Sequence, residues 1–105
     1  MTKKAITDKC REILAQTPQQ HEVTGVDRDL LLALLDHHPD KHTWPLSRQG
    51  QVVKITVARW AGAFHTRCFY LHYANGEVWD FSFHKCIRNT TQAQVTALCQ
   101  TFSLK

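Results

Sequence analysis

Two runs rich in aromatic and β-branched residues flank an Asn-Gly pair, and this pattern strongly limits how the chain can fold. The first run ends at Tyr73, the second begins at Val78, and Asn75-Gly76 lies between them. This arrangement favours a β-hairpin with a two-residue type I′ turn, because both turn residues tolerate a positive φ. One face of the hairpin is then expected to carry Phe69, Leu71, Tyr73, Val78, Asp80 and Ser82, and the other Cys68, Tyr70, His72, Trp79, Phe81 and Phe83.

The residues before the hairpin predict two helices and one strand. A first helix is capped at Thr7 and ends before Pro18, and a second begins at Asp27 with a leucine-rich face. A loop rich in proline and glycine follows, and then the alternating segment 52–60 is predicted as a strand, with a turn-rich link after it.

After the hairpin, the chain is predicted to close with an amphipathic helix capped near Thr90 or Thr91. The order of elements predicts an α+β fold: a small antiparallel sheet of about three strands, with an N-terminal helix pair and a C-terminal helix packed on it. A length of 105 residues suits one domain. We therefore expect a single domain over residues 1–105, with its core in 27–102.

Three features of the sequence predict where the protein works. No apolar run approaches the roughly 20 residues that span a bilayer, and the N-terminus lacks the pattern of a secretory signal. The four cysteines are widely spread with no CxxC pair, which favours reduced thiols. The sequence therefore predicts a cytoplasmic protein with no membrane association.

Charge is unevenly distributed along the chain. Residues 1–40 hold five Lys/Arg and seven Asp/Glu, a net charge of −2, whereas residues 41–88 hold seven Lys/Arg and two Asp/Glu, a net charge of +5. Aromatic residues are interleaved with the basic ones in this middle segment. Cations bind phosphates and exposed rings stack on bases, so the middle segment predicts a nucleic-acid-binding surface. The alternative is an ordinary solvated basic face, with the aromatic residues in the core.

Asp80 and Ser82 stand out among the apolar residues of the second hairpin strand. A carboxylate beside Leu71 and Phe69 is costly unless a cation or several N–H groups satisfy it. We therefore interpret Asp80 and Ser82 as a structural polar latch that pins the hairpin to a neighbouring segment. The alternative is that Asp80 orients Arg67 or Lys85 toward a ligand phosphate.

Three short segments carry a resemblance to a known family. They are "HHPDK" (His37–Lys41), "ITVARWAGAFHTRCF" (Ile55–Phe69) and "NGEVWDFSFHKC" (Asn75–Cys86). Together they resemble the DCL ("defective chloroplasts and leaves") family. That resemblance implies a role in plastid ribosomal-RNA processing or at the tails of plant-specific RNA polymerases, without a defined enzymatic reaction.

The sequence thus predicts a non-catalytic RNA-binding domain, or an accessory domain for RNA processing or transcription. The alternative is a protein-interaction module that uses the exposed hairpin or the leucine-rich helix face. No cofactor is predicted. The residues expected to contact nucleic acid are Arg67 and Lys85, followed by Arg59, Arg88 and Trp60.

Two chemical alternatives concern the cysteines and histidines near the hairpin. Cys68, Cys86 and the nearby histidines follow no standard zinc spacing, so no metal site is predicted. His84 and Cys86 would share one face of a strand, which permits a base and a thiol nucleophile. No orienting acid accompanies them in an identifiable motif, and we therefore expect no enzymatic activity.

Overall fold

The structure is a computed structural model that describes residues 1–44, 51–60 and 63–104, with backbone alone for residues 42, 60 and 63–65. Within these ranges the helices are α1 (Lys3–Gln16), α2 (Gly25–Leu35), α3 (Phe83–Arg88) and α4 (Gln92–Thr101), with a 3-10 turn at Lys41–Thr43. The strands are β1 (Glu22–Val23), β2 (Val52–Trp60), β3 (Ala63–Tyr73) and β4 (Val78–Phe81). They form one antiparallel sheet in the order β1-β2-β3-β4. The α+β prediction is confirmed, with four strands where about three were expected.

The helix boundaries follow the capping residues, and one of the three predicted caps is correct. Thr91 caps α4 in a reciprocal capping box with Gln94, as expected. Helix α1 begins earlier than predicted, because Thr2 is its N-cap and accepts a hydrogen bond from the Ala5 N–H at 3.1 Å. Helix α2 begins after Thr24 and not at Asp27.

Strand β2 has the predicted bounds, but two other strand predictions were wrong. The connection after α1 contains β1, in which Val23 pairs with Ile55 of β2. The expected turn-rich link before the hairpin is shorter, since β3 begins at Ala63 and is 11 residues long. Residues 61–62 of that link lie outside the described part of the chain, as do residues 45–50 of the predicted loop.

The hairpin forms where predicted, but its register is shifted by one residue. Leu71 pairs with Trp79, and Tyr70 pairs with Asp80. The turn is longer than the expected type I′: the Tyr73 N–H bonds to the Glu77 carbonyl at 2.9 Å, and Gly76 has a φ of +89° whereas Asn75 does not have a positive φ. One positive φ at the last loop position is typical of a three-residue turn with a bulge. Asp80 consequently lies on the opposite face from Leu71 and Phe69.

Strand β4 ends sooner than predicted, because the chain turns into a helix at Ser82. Ser82 is the N-cap residue of α3, and Phe83 is the first residue of that helix. The expected strand through Phe83 was therefore wrong. Residues spaced three and four apart now share a side, so His84 and Cys86 no longer point the same way.

The core lies between the helices and one face of the sheet. Phe69 is fully buried at the centre of the core. The centroid of its ring lies 6.4 Å from that of Phe81 and 5.9 Å from that of Phe83. Trp44 is also buried, and the centroid of its ring lies 4.5 Å from the centroid of the His38 ring. The core includes Ile6, Cys10 and Ile13, which precede the expected range 27–102, and the leucines of α2 are buried in it: Leu30, Leu31, Leu34 and Leu35. The leucine-rich face of α2 therefore packs against the core of the domain.

Two further features of the fold concern α4 and the possibility of a membrane-spanning helix. As expected, the apolar residues of α4 dock on the core, with Val95, Leu98 and Cys99 buried and Phe102 packed against them. Among the described residues, no helix has both the length and the apolar character that crossing a membrane requires.

Replacing Gly76 with alanine tests the hairpin turn. No atom lies within 4 Å of the added Cβ, so the cost comes from the positive φ alone. We expect Gly76→Ala to lower the free energy of unfolding by about 1–2 kcal/mol in urea denaturation. Ala74→Ser, at an exposed turn position, should change it by less than about 0.5 kcal/mol.

Asn75→Gly distinguishes the two turn types. A type I′ turn would tolerate glycine at this position about as well as asparagine, because both central residues have a positive φ. Here the substitution removes the hydrogen bond from the Glu77 N–H to the Asn75 Oδ1, which is 3.0 Å long. It should therefore lower the free energy of unfolding by about 1 kcal/mol in urea denaturation, and an unchanged value would contradict the turn seen here.

Candidate nucleic-acid interface

A cationic groove lies between the N-terminal half of α1 and α3. It has a cavity volume of about 520 Å³. Helix α1 contributes residues at successive turns of one side, and α3 contributes the side that faces away from the core. The groove is lined by Lys3, Lys4, Thr7, Ser82, His84, Ile87 and Arg88. No Asp or Glu of the described residues is among the residues that line it.

Two contacts define the charges of the cationic groove. The Lys3 ammonium donates a hydrogen bond of 3.2 Å to the backbone carbonyl of Arg88, which ties α1 to the end of α3. The Lys4 ammonium pairs with Asp8 at 2.5 Å, but the Lys4 side chain is 82% exposed. A surface pair this exposed is weak and exchanges readily for another anion. The groove therefore presents positive charge that an anionic ligand can reach.

His84 lies where the cationic groove meets a second cavity. Burial, followed by the neighbouring Arg11 and Arg88 guanidinium groups, lowers the pKa of His84 below its ordinary value. Its ring lies against that of Phe83, with 4.1 Å between centroids and 32° between planes. A neutral imidazole at this place adds an aromatic surface to the groove without adding charge near pH 7.

The second cavity, here called the inner pocket, extends from His84 toward the end of β4. Its volume is about 370 Å³. It opens where the pairing of β3 with β4 ends, at Phe69 and Phe81. The residues of β3 that precede Phe69 form one wall, and the second half of α1 forms another. The inner pocket is lined by Arg11, Leu14, Thr66, Arg67, Cys68, Asp80, Phe81, Ser82, Phe83 and His84. The two cavities share Ser82 and His84 and therefore adjoin.

Arg67, a predicted phosphate contact, binds the end of α1. Its Nη1 donates to the Leu14 carbonyl at 3.1 Å, and its Nη2 donates to the Thr17 carbonyl at 2.7 Å. These carbonyls belong to the last turn of the helix, where a cation is favourable because of the helix dipole. Arg67 thus positions α1 on β3 and also lines the inner pocket.

The other predicted nucleic-acid contacts lie in different places. Lys85 and Arg88 of α3 line a depression of about 330 Å³ with Pro39 and Asp40, and only Arg88 reaches the cationic groove. Arg59 lies at the far end of β2, where its carbonyl accepts a hydrogen bond of 3.3 Å from the Tyr70 hydroxyl. Trp60 ends β2, and its side chain is outside the described part of the structure. The structure does not gather Lys85, Arg59 and Arg67 at one cavity.

Asp80 and Ser82, the predicted latch, both line the inner pocket. The expectation that Asp80 is placed beside Leu71 and Phe69 was wrong, because the shifted register turns it to the outer face of the sheet, where it is exposed. Ser82 is half-buried and precedes α3. Their roles as a latch remain a prediction.

Cys86 and Cys10 are buried, whereas Cys68 is half-buried. Cys86 is fully buried and its thiol contacts the Ser82 carbonyl at 3.7 Å. Burial raises the pKa of Cys86 and of Cys10 to about 12 in each case. His84 lies on the exposed side of α3, so the arrangement of a base beside a thiolate does not form. Among the described residues, no three His, Cys, Asp or Glu side chains come together as a metal site.

Lys3, Lys4 and Arg11 were missed because their segment carries a net negative charge. None of its acidic residues lines the groove, although Asp8 pairs with Lys4. Others pair elsewhere: Lys9 is 3.9 Å from Glu12 and 3.7 Å from Asp27. The spacing of residues 3, 4, 7 and 11 on one side of a helix was a signal that the net charge concealed.

Comparisons with known proteins give a family and a fold. A family model described as "Protein of unknown function (DUF3223)" matches residues 11–87. The solved structures include a solution NMR structure of an uncharacterized protein from Rhodospirillum rubrum, with a TM-score of 0.66 and 24% identity. The match covers 81% of this chain and 77% of that protein. None of the curated proteins matches the chain.

These findings correct the resemblance drawn from the short motifs. The family that matches is DUF3223 and not the DCL family, and the structural neighbour is bacterial. The motif residues Asp80, Phe81 and Cys86 lie within the matched range, but they do not carry a plastid role to this chain.

Replacing Arg67 with methionine tests its bond to α1. The substitution keeps much of the apolar stem and removes both hydrogen bonds to the helix carbonyls. We expect the free energy of unfolding to fall by about 1–3 kcal/mol in urea denaturation. Arg59→Met, directly opposite on the sheet ladder, should change it by less than about 0.5 kcal/mol. Equal losses in the two variants would contradict the anchoring role.

Thiol reactivity tests the burial of the cysteines. We expect an aromatic disulfide reagent at pH 8 to label Cys68, which is half-buried, well before the other three thiols. Cys10, Cys86 and Cys99 are at most 1% exposed and should react only on unfolding. Cys68→Ser should remove the early phase, and early labelling of Cys86 in that variant would contradict the structure.

Proposed function

The chain belongs to the DUF3223 family of proteins of unknown function, and we propose from its own geometry that it is a non-catalytic RNA-binding domain. In this proposal the cationic groove between α1 and α3 binds the phosphates of the RNA strand. The observation that carries it is the convergence of Lys3, Lys4 and Arg88 from opposite ends of the sequence on one cavity.

The position of the lysines on α1 supports an anionic ligand. Lys3 and Lys4 are the first two residues of the helix, and no acidic residue lies in its first turn. Cations at a helix N-terminus oppose the helix dipole, whereas an anion bound there is favourable. A bound phosphate would therefore be attracted by the side chains and by the helix end together.

The remaining cations provide a wider basic surface around the groove. Arg11 lies at the junction with the inner pocket, and Lys85 lies beside Arg88 on the next exposed surface. Contacts with several phosphates make binding strong at low salt and independent of sequence. Such a domain fits an accessory role in RNA processing or transcription.

A binding role agrees with the chemistry of the neighbouring groups. The Cys86 thiol is buried and protonated near neutral pH, and His84 lies on the other side of α3 from it. The proposal therefore assigns no catalytic step to these residues.

Salt-dependent binding tests the proposal. We expect a labelled single-stranded RNA to bind the wild-type chain with an affinity that falls steeply as salt rises, measured by fluorescence anisotropy. Lys4→Gln and Arg88→Gln should each weaken binding and reduce the slope of log K against log salt by about 0.7 for each lost phosphate contact. Arg11→Gln should act in the same direction.

Lys54→Gln and Arg59→Gln are the matched controls, because they remove the same charge at a hollow on the outer side of the sheet. Equal losses in the groove variants and in these controls would show a general charge effect and not a site. Binding of a protein partner that does not respond to salt, with no RNA binding, would instead favour the interaction-module alternative. Urea denaturation of each variant is the control for correct folding.

A further inference from the structure

The inner pocket differs in character from the cationic groove that it adjoins. Its exposed lining is mostly apolar and includes Leu14 and small exposed parts of Phe81 and Phe83, while Arg11, Arg67 and Asp80 also line it. The cationic groove has Ile87 as its one large apolar lining residue among those described. The pair of cavities therefore favours a ligand that is anionic at one end and largely apolar at the other.

From this juxtaposition we propose that the inner pocket binds one unpaired base of the strand whose phosphates occupy the cationic groove. The inference rests on the proposed function and specifies its ligand class: single-stranded RNA, or RNA with an unpaired nucleotide. Protein recognition of RNA commonly places such bases against aromatic and apolar side chains.

The size and shape of the inner pocket support this occupant. Its volume of about 370 Å³ lies in the range of cavities that hold small ligands. A base within a duplex is paired and stacked, so it cannot enter a side pocket unless it leaves the helix. The pocket therefore selects for strands whose bases are already free.

The inner pocket offers a base room and apolar surface, and hydrogen bonding to its edge is not required. The Arg67 guanidinium that lines the pocket already donates to the Leu14 and Thr17 carbonyls. His84 lies between the two cavities and belongs to the lining of both. A nucleotide that spans the two cavities would therefore pass this ring.

Thr66→Leu tests the inner pocket without changing the charge of the protein. Thr66 is an exposed residue of β3 that lines the pocket, and leucine at this position would fill space without offering an aromatic ring. We expect Thr66→Leu to weaken binding of a 12-nucleotide single-stranded RNA at least tenfold, with the salt slope unchanged. Thr101→Leu, at an exposed position of α4, should bind like the wild type.

Three ligands of equal length separate the inference from the proposed function. We expect the single strand to bind at least tenfold more tightly than the same sequence in a duplex and than a strand of abasic sites. Equal binding of all three, unaffected by Thr66→Leu, would overturn the base pocket and leave the phosphate groove intact. No salt-dependent binding of any of them would overturn the proposed function itself.

A DNA strand of the same sequence and poly-glutamate complete the design. Tight binding of a single strand, RNA or DNA, that is weakened by Thr66→Leu would support a base in the inner pocket. Poly-glutamate binding as tight as that of the single strand would show that the cationic groove takes any polyanion and would overturn the inference.

Discussion

The packing of α3 on the core determines the surface that this protein presents. Phe83, Cys86 and Ile87 are 6%, 0% and 3% exposed, respectively, and their spacing places them on one side of a helix of less than two turns. Burying these three side chains provides several kcal/mol of hydrophobic free energy and fixes the rotation of the helix. His84, Lys85 and Arg88 must then lie toward solvent, where they can meet a ligand.

Helix α1 supplies the other half of the surface for a related reason. Ile6, Cys10 and Ile13 are buried, and the guanidinium of Arg67 binds the carbonyls at the end of the helix. With the apolar side and the C-terminal end both fixed, Lys3 and Lys4 are held next to α3. The cationic groove is thus a consequence of core packing and needs no dedicated loop to form it.

The sequence predicted local features well where a short-range signal was decisive. The alternation of residues 52–60 gave the bounds of β2, and Thr91 marked the start of α4 through its capping box with Gln94. It failed where two local signals competed. Asn75-Gly76 suited a type I′ turn, but a longer turn at Gly76 shifted the register, and aromatic residues after Asp80 resembled a continuing strand although Ser82 begins a helix. A one-residue shift exchanges the two faces of a strand, which is why Asp80 was misplaced.

By itself the sequence determined the fold class, the presence of the hairpin and the apolar sides of α2 and α4, because each depends on residues close together along the chain. Only the tertiary structure decided which cations meet. Lys3 and Arg88 are 85 positions apart, yet the Lys3 ammonium bonds to the Arg88 carbonyl. Net charge per segment averages over all sides of a helix, so it hid the basic side of α1 within an acidic region. Contacts between distant elements arise from packing that no local pattern encodes, and the groove exists only after α1 and α3 share one core.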